Sequence, residues 1–278
     1  MVGLEKKTML SELEVGQFKA FGFTVIRDCL NTNEFEKIEK GYTHLIANAS
    51  RYNYFSEIGT RMTETFLYED ANLANLIEHP RVMEVMRDIW GVECLYNGGR
   101  DMWENRDETP WHCDGPPARK TVTLKIALYL DEMDEDSGSL NVIPGSHHPE
   151  FSATLFQSCG CWEKGSRPRL RLDKGNIPGA ISLHTKPRDI VLWNNNIWHS
   201  AFKRKDGLPR RTLFIGYTPD PGNDLLEILE LRKKVKNHLI EDYPYMYSEE
   251  MIRNATPARK KMIARLEELG IENVKRKK

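Results

Sequence analysis

The chain of 278 residues has 40% hydrophobic and 29% charged residues and a formal net charge of −1, a composition typical of a soluble globular protein. This balance excludes the basic surface that nucleic-acid binding requires, and the longest apolar stretch, around 122–130, is too short to span a membrane. Five cysteines without a CxxC pair, and a beginning without a signal-peptide apolar core, favour a reduced, cytoplasmic location.

Local signals of regular structure follow one another through the first third of the chain. A helix is expected over 11–20, followed by a short strand of aromatic and β-branched residues at 23–26. Asn31 has a glutamate three residues later, a capping pair that predicts the start of a second helix. A helical stretch over 71–90 is expected to be interrupted at Pro80, because proline has no backbone N–H to donate.

From residue 94 the hydrophobic pattern changes from a helical period to strand-like runs. These runs are separated by Gly, Pro, Asp and Asn turns: TVTLKIALYLD, SLNVIP, DIVLW and RTLFIGYT. The glycine-punctuated, basic segment within 150–180 predicts a long mobile insertion, for which a lid is one role. The tail returns to helix, over 225–240 and 249–269.

The order of these elements predicts a single domain over 1–278 with α+β architecture. Its expected parts are a helical segment over 1–93, a β core over 94–218 that contains the 150–180 insertion, and C-terminal helices over 223–278. Helices that lead and follow a central β region are expected to cover its sheets from outside.

A candidate metal site begins in the sequence ETPWHCDGPP. On an extended strand, the spacing of His112 and Asp114 turns both side chains to one face, while Cys113 points to the other. His199, which follows the run DIVLWNNNIW, is the candidate third ligand. Two histidines and one carboxylate form the facial triad suited to iron(II), with coordination positions left open. Taken alone the HxD pair is weak evidence, because a surface turn often has the same pattern.

Arg210 lies eleven residues after His199, beyond a turn and at the start of the strand RRTLFIGY. The chain can therefore leave the metal and return beside it. A guanidinium there can bind the far carboxylate of 2-oxoglutarate through two parallel hydrogen bonds. Arg211 is expected on the opposite face by strand alternation, with a surface ion pair as its partner.

Four motifs resemble the phytanoyl-CoA dioxygenase-like branch of the iron(II)- and 2-oxoglutarate-dependent oxygenases. They are WHCD, ALYLDEMDEDSGSLNVIPGSHH, DIVLWNNNIWHSAF and RRTLFIGY, and together they cover about 94–218. The resemblance implies a double-stranded β-helix, a jelly-roll or cupin-like barrel, flanked by the helices. It also implies O2 as a co-substrate, 2-oxoglutarate at Arg210, and iron at His112, Asp114 and His199.

The chain departs from this family pattern at two positions. Arg188 precedes Asp189 where members usually have glycine, and Lys125 stands where many have an aromatic residue. An inward Lys125 would need a carboxylate nearby, from the co-substrate or an acidic substrate, and an outward Lys125 paired with an acidic turn residue is the alternative. Asn97 could hydrogen-bond a bound acid, although Asn97-Gly98-Gly99 is also a turn signal, and the turn is slightly favoured.

The sequence thus predicts an iron(II)- and 2-oxoglutarate-dependent dioxygenase that hydroxylates an unactivated C–H bond of a small molecule, for which an anionic metabolite is one candidate. Desaturation, epoxidation and ring closure are alternative outcomes. Competing functions are a zinc hydrolase with the same triad, a non-catalytic binding protein and an oxygenase acting on protein side chains. The chain does not end in Ser-Lys-Leu, which disfavours a peroxisomal fatty acyl-CoA substrate.

Overall fold

A computed structural model of the chain describes residues 9–48, 54–55, 60–114, 122–159, 161–164, 167–170, 177–241 and 243–275. The helices are α1 Glu12–Phe21, α2 Thr32–Ala47, α3 Phe66–Glu69, α4 Ala71–Ala74, α5 Pro80–Trp90, α6 Pro149–Cys159, α7 Leu225–Asn237, α8 Glu249–Arg253 and α9 Pro257–Glu268. A 3-10 turn, Asn75–Glu78, joins α4 to α5. Within these described ranges, no helix has the length and apolar character needed to cross a lipid bilayer.

The strands form two antiparallel sheets. They are β1 Phe23–Ile26, β2 Tyr54–Phe55, β3 Arg61–Thr63, β4 Cys94–Asn105, β5 Thr109–His112, β6 Leu124–Tyr129, β7 Leu140–Val142, β8 Cys161–Lys164, β9 Arg167–Leu170, β10 Ile181–Ser182, β11 Ile190–Asn194, β12 His199–Ala201 and β13 Arg210–Pro219. The main sheet has the order β1-β11-β6-β13-β4-β3-β2, and the minor sheet has the order β10-β7-β12-β5-β9-β8. The predicted α+β architecture is confirmed at this level.

Three apolar clusters hold the layers together. One lies between the main sheet and the helices outside it, and includes Ile38 of α2, Val85 of α5 and Leu266 of α9. The second fills the space between the inner faces of the two sheets, where Val191 of the main sheet and Val142 of the minor sheet share one cluster. The third lies between the minor sheet and α6. The helices therefore brace both sheets from outside and leave the inter-sheet space for the site.

Helix ends follow the local sequence closely. Ser11 and Asn31 each form a complete capping box with a glutamate three residues later, as the sequence predicts for Asn31. The helix expected from 11 ends at Gly22, whose φ of +87° is a left-handed conformation that costs glycine no Cβ clash. Pro80 begins α5, so the interruption predicted there is confirmed.

One sequence-based expectation about these elements is wrong. The tail over 249–269 is two helices, because Thr256 caps a new helix whose first residue, Pro257, cannot continue the preceding one. In the first third, the strand predicted at 23–26 is confirmed as β1, and β2 and β3 are strands that the sequence did not predict; the three lengthen the main sheet at both edges. Only the pairing partners far along the chain, such as β11 for β1, stabilise such short strands.

The insertion over 150–180 contains more regular structure than its composition suggests. It begins within α6 and continues into the hairpin β8–β9, which extends the minor sheet through pairing of Arg169 with His112. Residues 171–176 lie outside the described part, so the lid expectation for them stays a prediction. The described portion includes a hydrogen-bonded extension of the sheet that carries a site residue, and the mobility expected for the insertion stays a prediction.

Helix α6 fixes the strand that carries His199. The indole Nε1–H of Trp198 donates to Ser152 Oγ over 2.8 Å, and both residues are fully buried. Ser152→Ala leaves that N–H buried without an acceptor, which costs about 1–3 kcal/mol. We expect a loss of that size in the free energy of unfolding measured with urea. Ser158→Ala, on the exposed side of the same helix, is the control and should change it by less than about 0.5 kcal/mol.

Candidate metal centre

The pairing of two strands in the minor sheet brings the candidate ligands together. His112, at the end of β5, is directly opposite His199, at the start of β12. Asp114 follows β5, and its two carboxylate oxygens lie 3.8 Å from His112 Nε2 and 3.9 Å from His199 Nε2. One ligand atom from each residue lies within 4.8 Å of the others, an arrangement that could hold a metal ion. The predicted convergence of these three side chains is thus present in the fold.

Both imidazoles are held by the chain in the same way. His112 Nδ1 is 2.8 Å from the backbone carbonyl of Pro110, and His199 Nδ1 is 2.9 Å from that of Ile197. A carbonyl oxygen can only accept, so each Nδ1 carries a proton and each Nε2 is left as the atom that faces Asp114. Hydrogen bonds of this type orient histidines that bind metals. Two imidazoles and one carboxylate therefore fit a divalent transition metal.

The alternation predicted for the HxD sequence is confirmed. Trp111 and Cys113 are buried with Trp198 in the cluster beneath α6, on the outer face of the minor sheet. His112 and Asp114 consequently face inward, toward the main sheet. A shift of one residue in β5 would place the two ligands under α6 and would destroy the site.

Lys125, on β6 of the main sheet, faces the site. Its ammonium is 3.3 Å from Asp114 Oδ2 and 3.8 Å from Asp101 Oδ2, and it lies 4.9 Å from the centre of the Phe214 ring. The inward orientation considered for Lys125 is present, and the carboxylate it requires comes from the chain itself. Because Lys125 compensates the charge of Asp114, the carboxylate can stay ionised in a largely buried position.

Arg210 lies between the sheets at the first position of β13 and is 4% exposed. Its guanidinium donates to the backbone carbonyls of Phe202 over 2.7 Å and Gly138 over 3.1 Å, and to that of Asp107. Burial is the main cause that lowers the pKa of Arg210 below its usual value. No carboxylate in the described ranges forms an ion pair with Arg210, although Asp107 lies near enough for its charge to act on the guanidinium.

Arg211 has the surroundings predicted for it. Its guanidinium forms a two-pronged pair with Asp131, over 2.6 and 3.1 Å, and a second contact of 3.3 Å with Glu39 of α2. The contrast between the two arginines follows from strand alternation alone. Arg211 has carboxylate partners on the outer face of the main sheet, and Arg210 donates to backbone carbonyls on the inner face.

Asn97 lies inside β4, and the turn favoured for Asn97-Gly98-Gly99 is wrong. The strand continues from Cys94 to Asn105, and the three residues form a bulge because Tyr96 pairs with Tyr217 while Arg100 pairs with Ile215. Gly98 supplies the left-handed conformation, with φ of +88°. The Asn97 side chain turns inward over Gly216, where a Cβ would meet its Oδ1 at 2.7 Å.

A cavity of about 420 Å³ opens beside Asp114, between the β4 bulge and α7. It is lined by Glu64, Asn97, Gly98, Gly99, Arg100, Asp101, Asp114, Lys125, Asn195, Gly216, Glu230, Lys233, Lys234, Asn237 and His238. Arg210 is not among them. Gly216 and Arg210 are six residues apart on β13, roughly 20 Å along a strand. Asn97 and Arg210 were both predicted from the sequence to bind the co-substrate, but they lie at opposite ends of the site.

The contribution of α7 was missed by the sequence reasoning. Its residues Glu230, Lys233, Lys234 and Asn237 line the cavity, and this spacing of three and four residues identifies one face of a helix. A helix with charged residues on such a face is normally read as solvent-exposed, so no local signal places it beside the metal site. Only the fold brings it there.

The unusual Arg188 occupies the position where the family pattern has glycine. Its φ is +81°, the left-handed region in which glycine is favoured, and its guanidinium pairs with Asp28 Oδ1 over 2.6 Å. The following Asp189 accepts hydrogen bonds from the backbone N–H groups of Asp28 and Lys186. The turn geometry that glycine usually provides is therefore kept, and the departure leaves β11 in place.

Comparison with known proteins identifies relatives of this chain. The family model of phytanoyl-CoA dioxygenase (PhyH) matches residues 18–212. Ectoine dioxygenase of Sphingopyxis alaskensis is 22% identical, over 75% of this chain and 76% of that protein. Ectoine dioxygenase of Nocardia farcinica is 23% identical, over 75% of this chain and 78% of that protein.

Solved structures share the fold. EctD from S. alaskensis, with 2-oxoglutarate and 5-hydroxyectoine, has a TM-score of 0.59 at 18% identity and covers 77% of this chain and 78% of EctD. The epimerase SnoN, in complex with Fe3+, alpha ketoglutarate and nogalamycin RO, has a TM-score of 0.58 at 16% identity, covering 74% of this chain and 82% of SnoN. The family model spans more than half of the sequence, and the resemblance drawn from the four motifs is confirmed. The chain therefore belongs to the phytanoyl-CoA dioxygenase (PhyH) family and is an oxidoreductase of the iron(II)- and 2-oxoglutarate-dependent dioxygenase class.

Proposed function

We propose that this dioxygenase hydroxylates an unactivated C–H bond of a small polar molecule, with iron(II) held by His112, Asp114 and His199 and 2-oxoglutarate held by Arg210. The observation that carries the proposal is the pairing of two features on the inner faces of the sheets. One is a set of three metal-ligand atoms within 4.8 Å of one another. The other is the buried guanidinium of Arg210, which forms no ion pair with a carboxylate among the residues that the structure describes.

The finer fold assignment is a double-stranded β-helix. It is supported by two antiparallel sheets whose inner faces share one apolar cluster. It is also supported by the position of His112 and His199 on the paired neighbouring strands β5 and β12 of the minor sheet. In such a barrel the interior holds one small ligand set between the sheets. The helices of the first third and the tail then serve as an outer cover.

Three side chains are proposed to bind the metal, and neighbouring groups of the chain orient them. Bound iron(II) and 2-oxoglutarate together supply the O2 activation that oxidation of a C–H bond requires. The carbonyls of Pro110 and Ile197 accept from Nδ1 of His112 and His199, which orients both rings so that Nε2 would bind the metal. Asp114 would supply the carboxylate of the triad, and Lys125 at 3.3 Å compensates its charge.

Arg210 is proposed to bind the carboxylate of 2-oxoglutarate that lies away from the metal. The carbonyls of Gly138, Phe202 and Asp107 fix the plane of the guanidinium before any ligand arrives. A fixed fork loses little conformational freedom on binding, and it distinguishes a carboxylate from a neutral group. Tyr129, buried beside Arg210 on the neighbouring strand β6, closes this end of the site from water.

Lys125 and Asn97 were predicted as further co-substrate ligands, and we reassign both to the substrate side of the metal. Both line the cavity beside Asp114, and Arg210 does not. Hydroxylation is the default outcome that we propose, with desaturation, epoxidation and ring closure as alternatives. Among fold relatives, EctD is crystallised with 5-hydroxyectoine whereas SnoN is an epimerase, so the outcome depends on how the substrate is placed.

Succinate release under controlled addition of each component tests the proposal. The purified chain should form succinate only when iron(II), 2-oxoglutarate and O2 are all present, and small polar metabolites that are substrates should raise the rate. A zinc hydrolase built on the same triad would show no dependence on 2-oxoglutarate. Succinate formation that continues without iron(II) or without O2 would contradict the proposed reaction.

A further inference from the structure

The cavity beside Asp114 contains buried polar groups for which the described residues supply no partner. Asn97 is fully buried, and its Oδ1 accepts from the backbone N–H of Gly99 over 3.0 Å, whereas its Nδ2 has no hydrogen-bond partner. Arg100 is 3% exposed, and its Nη2 also lacks a partner. A buried donor without an acceptor is costly, so both groups point to an acceptor supplied by a ligand.

Helix α7 adds cations to the opposite wall. Lys233 and Lys234 lie on the face of the helix that borders the cavity, and Lys234 is positioned by a hydrogen bond of 3.1 Å from its Nζ to Thr123 Oγ1. Lys234 lies in the last turn of α7, where the partial negative charge of the helix C-terminus, about half an elementary charge, acts in the opposite direction. The two full positive charges of the ammonium groups exceed this partial charge.

Four cations and four acids line the cavity. The cations are Arg100, Lys125, Lys233 and Lys234, and the acids are Glu64, Asp101, Asp114 and Glu230. Lys125 and Asp114 compensate each other over 3.3 Å, which leaves three cations and three carboxylic acids to face a substrate. Glu64 is weakened as an anion, because burial and the nearby Asp101 raise its pKa. The cavity that faces a substrate thus leans to positive charge and is rich in donors.

From this juxtaposition we infer that the cavity between the β4 bulge and α7 binds the prime substrate through an anionic group, such as a carboxylate. Asn97 Nδ2 and the ammonium groups of Lys233 and Lys234 recognise that group, so α7 is a specificity-determining element. This inference rests on the proposed function, because it takes Asp114 as a metal ligand. A volume of about 420 Å³ suits a small metabolite.

Three probes of one skeleton and different charge test the inference: 4-hydroxybutyrate, 1,4-butanediol and 4-aminobutan-1-ol. The full chain is loaded with 2-oxoglutarate and with zinc(II) in place of iron(II), which prevents turnover, and binding is followed by ligand-observed NMR. We expect 4-hydroxybutyrate to bind at least about tenfold more tightly than 4-aminobutan-1-ol, since each exposed ion pair contributes up to about 1 kcal/mol. The double variant Lys233→Ala/Lys234→Ala should reduce this preference about tenfold.

Asn97→Asp is the sharper variant, because it keeps the Oδ1 acceptor for the Gly99 N–H and the side-chain volume. It replaces the unpartnered donor by a carboxylate, and the preference should therefore reverse toward 4-aminobutan-1-ol. Lys236→Ala, an exposed lysine of the same helix that does not line the cavity, is the control and should bind all three probes as the wild type does.

The outcomes separate this inference from the proposed function. Any of four results would overturn the inference. In the wild type these are equal binding of the three probes, tighter binding of 4-aminobutan-1-ol, or no binding of 4-hydroxybutyrate at millimolar concentration. The fourth is an unchanged preference for 4-hydroxybutyrate in the variant Lys233→Ala/Lys234→Ala. Binding of 2-oxoglutarate is measured in the same samples. If the wild type binds no 2-oxoglutarate, the proposed function fails, and probe selectivity is still read from the protein without it.

Discussion

Arg210→Ala is expected to weaken the binding of 2-oxoglutarate by roughly two to four orders of magnitude. The bound carboxylate would be left in a water-poor site without its cation, and removal of one partner of a buried ion pair costs about 3–5 kcal/mol. Equilibrium titration of the anaerobic iron(II) protein with 2-oxoglutarate measures the change. Iron affinity should stay as in the wild type, because Arg210 is not among the grouped ligand atoms.

Arg211→Ala provides the matched control on the same strand. Arg211 pairs with Asp131 and Glu39 on the outer face, and its side chain is 28% exposed. Its removal should change 2-oxoglutarate affinity by less than about threefold, since partly exposed ion pairs contribute at most about 1 kcal/mol and here they act on stability. If Arg211 were the sensitive position and Arg210 the silent one, the assignment of the co-substrate site would be wrong.

His199→Ala is expected to abolish stoichiometric iron(II) binding and all turnover while the chain stays folded. Loss of groups that merely orient metal ligands already costs about 10- to 100-fold in metal affinity, so loss of a ligand should exceed about 100-fold. Iron content after anaerobic gel filtration and a circular dichroism spectrum give the two readouts. The fold should persist because His199 lies outside the three apolar clusters.

His184→Ala is the control for a histidine near the same sheet. His184 is exposed and lies outside the ligand group, so iron content should not change. Near-normal iron binding by His199→Ala would show that the triad is assigned to the wrong residues. Loss of iron in both variants would point to a general effect of substitution on the fold.

Signals between near neighbours in the chain were sufficient to predict parts of the site. The two-residue spacing of His112 and Asp114 fixes a common face because the strand period is two, and the same rule separates Arg210 from Arg211. Capping pairs and Pro80 likewise determine helix ends through contacts within a few residues. These features need no knowledge of the rest of the fold.

Features that depend on distant partners could not be read from the sequence. The hairpin β8–β9 has a basic, glycine-flanked sequence typical of a loop, and it becomes part of the minor sheet only because β5 offers a free edge. Asn97 looks like a turn residue until β13 is paired beside it. The position of α7 across the cavity depends on the packing of the tail. Its polar face gives no local indication of that position.

The most direct test of the central claim is the visible absorption of the anaerobic protein as iron(II) and then 2-oxoglutarate are added. The account predicts a weak charge-transfer band that appears only when both are present, that is absent in His199→Ala, and that requires far more 2-oxoglutarate in Arg210→Ala. A wild-type protein that binds iron(II) but gives no such band, or a His199→Ala variant that gives the full band, would contradict it.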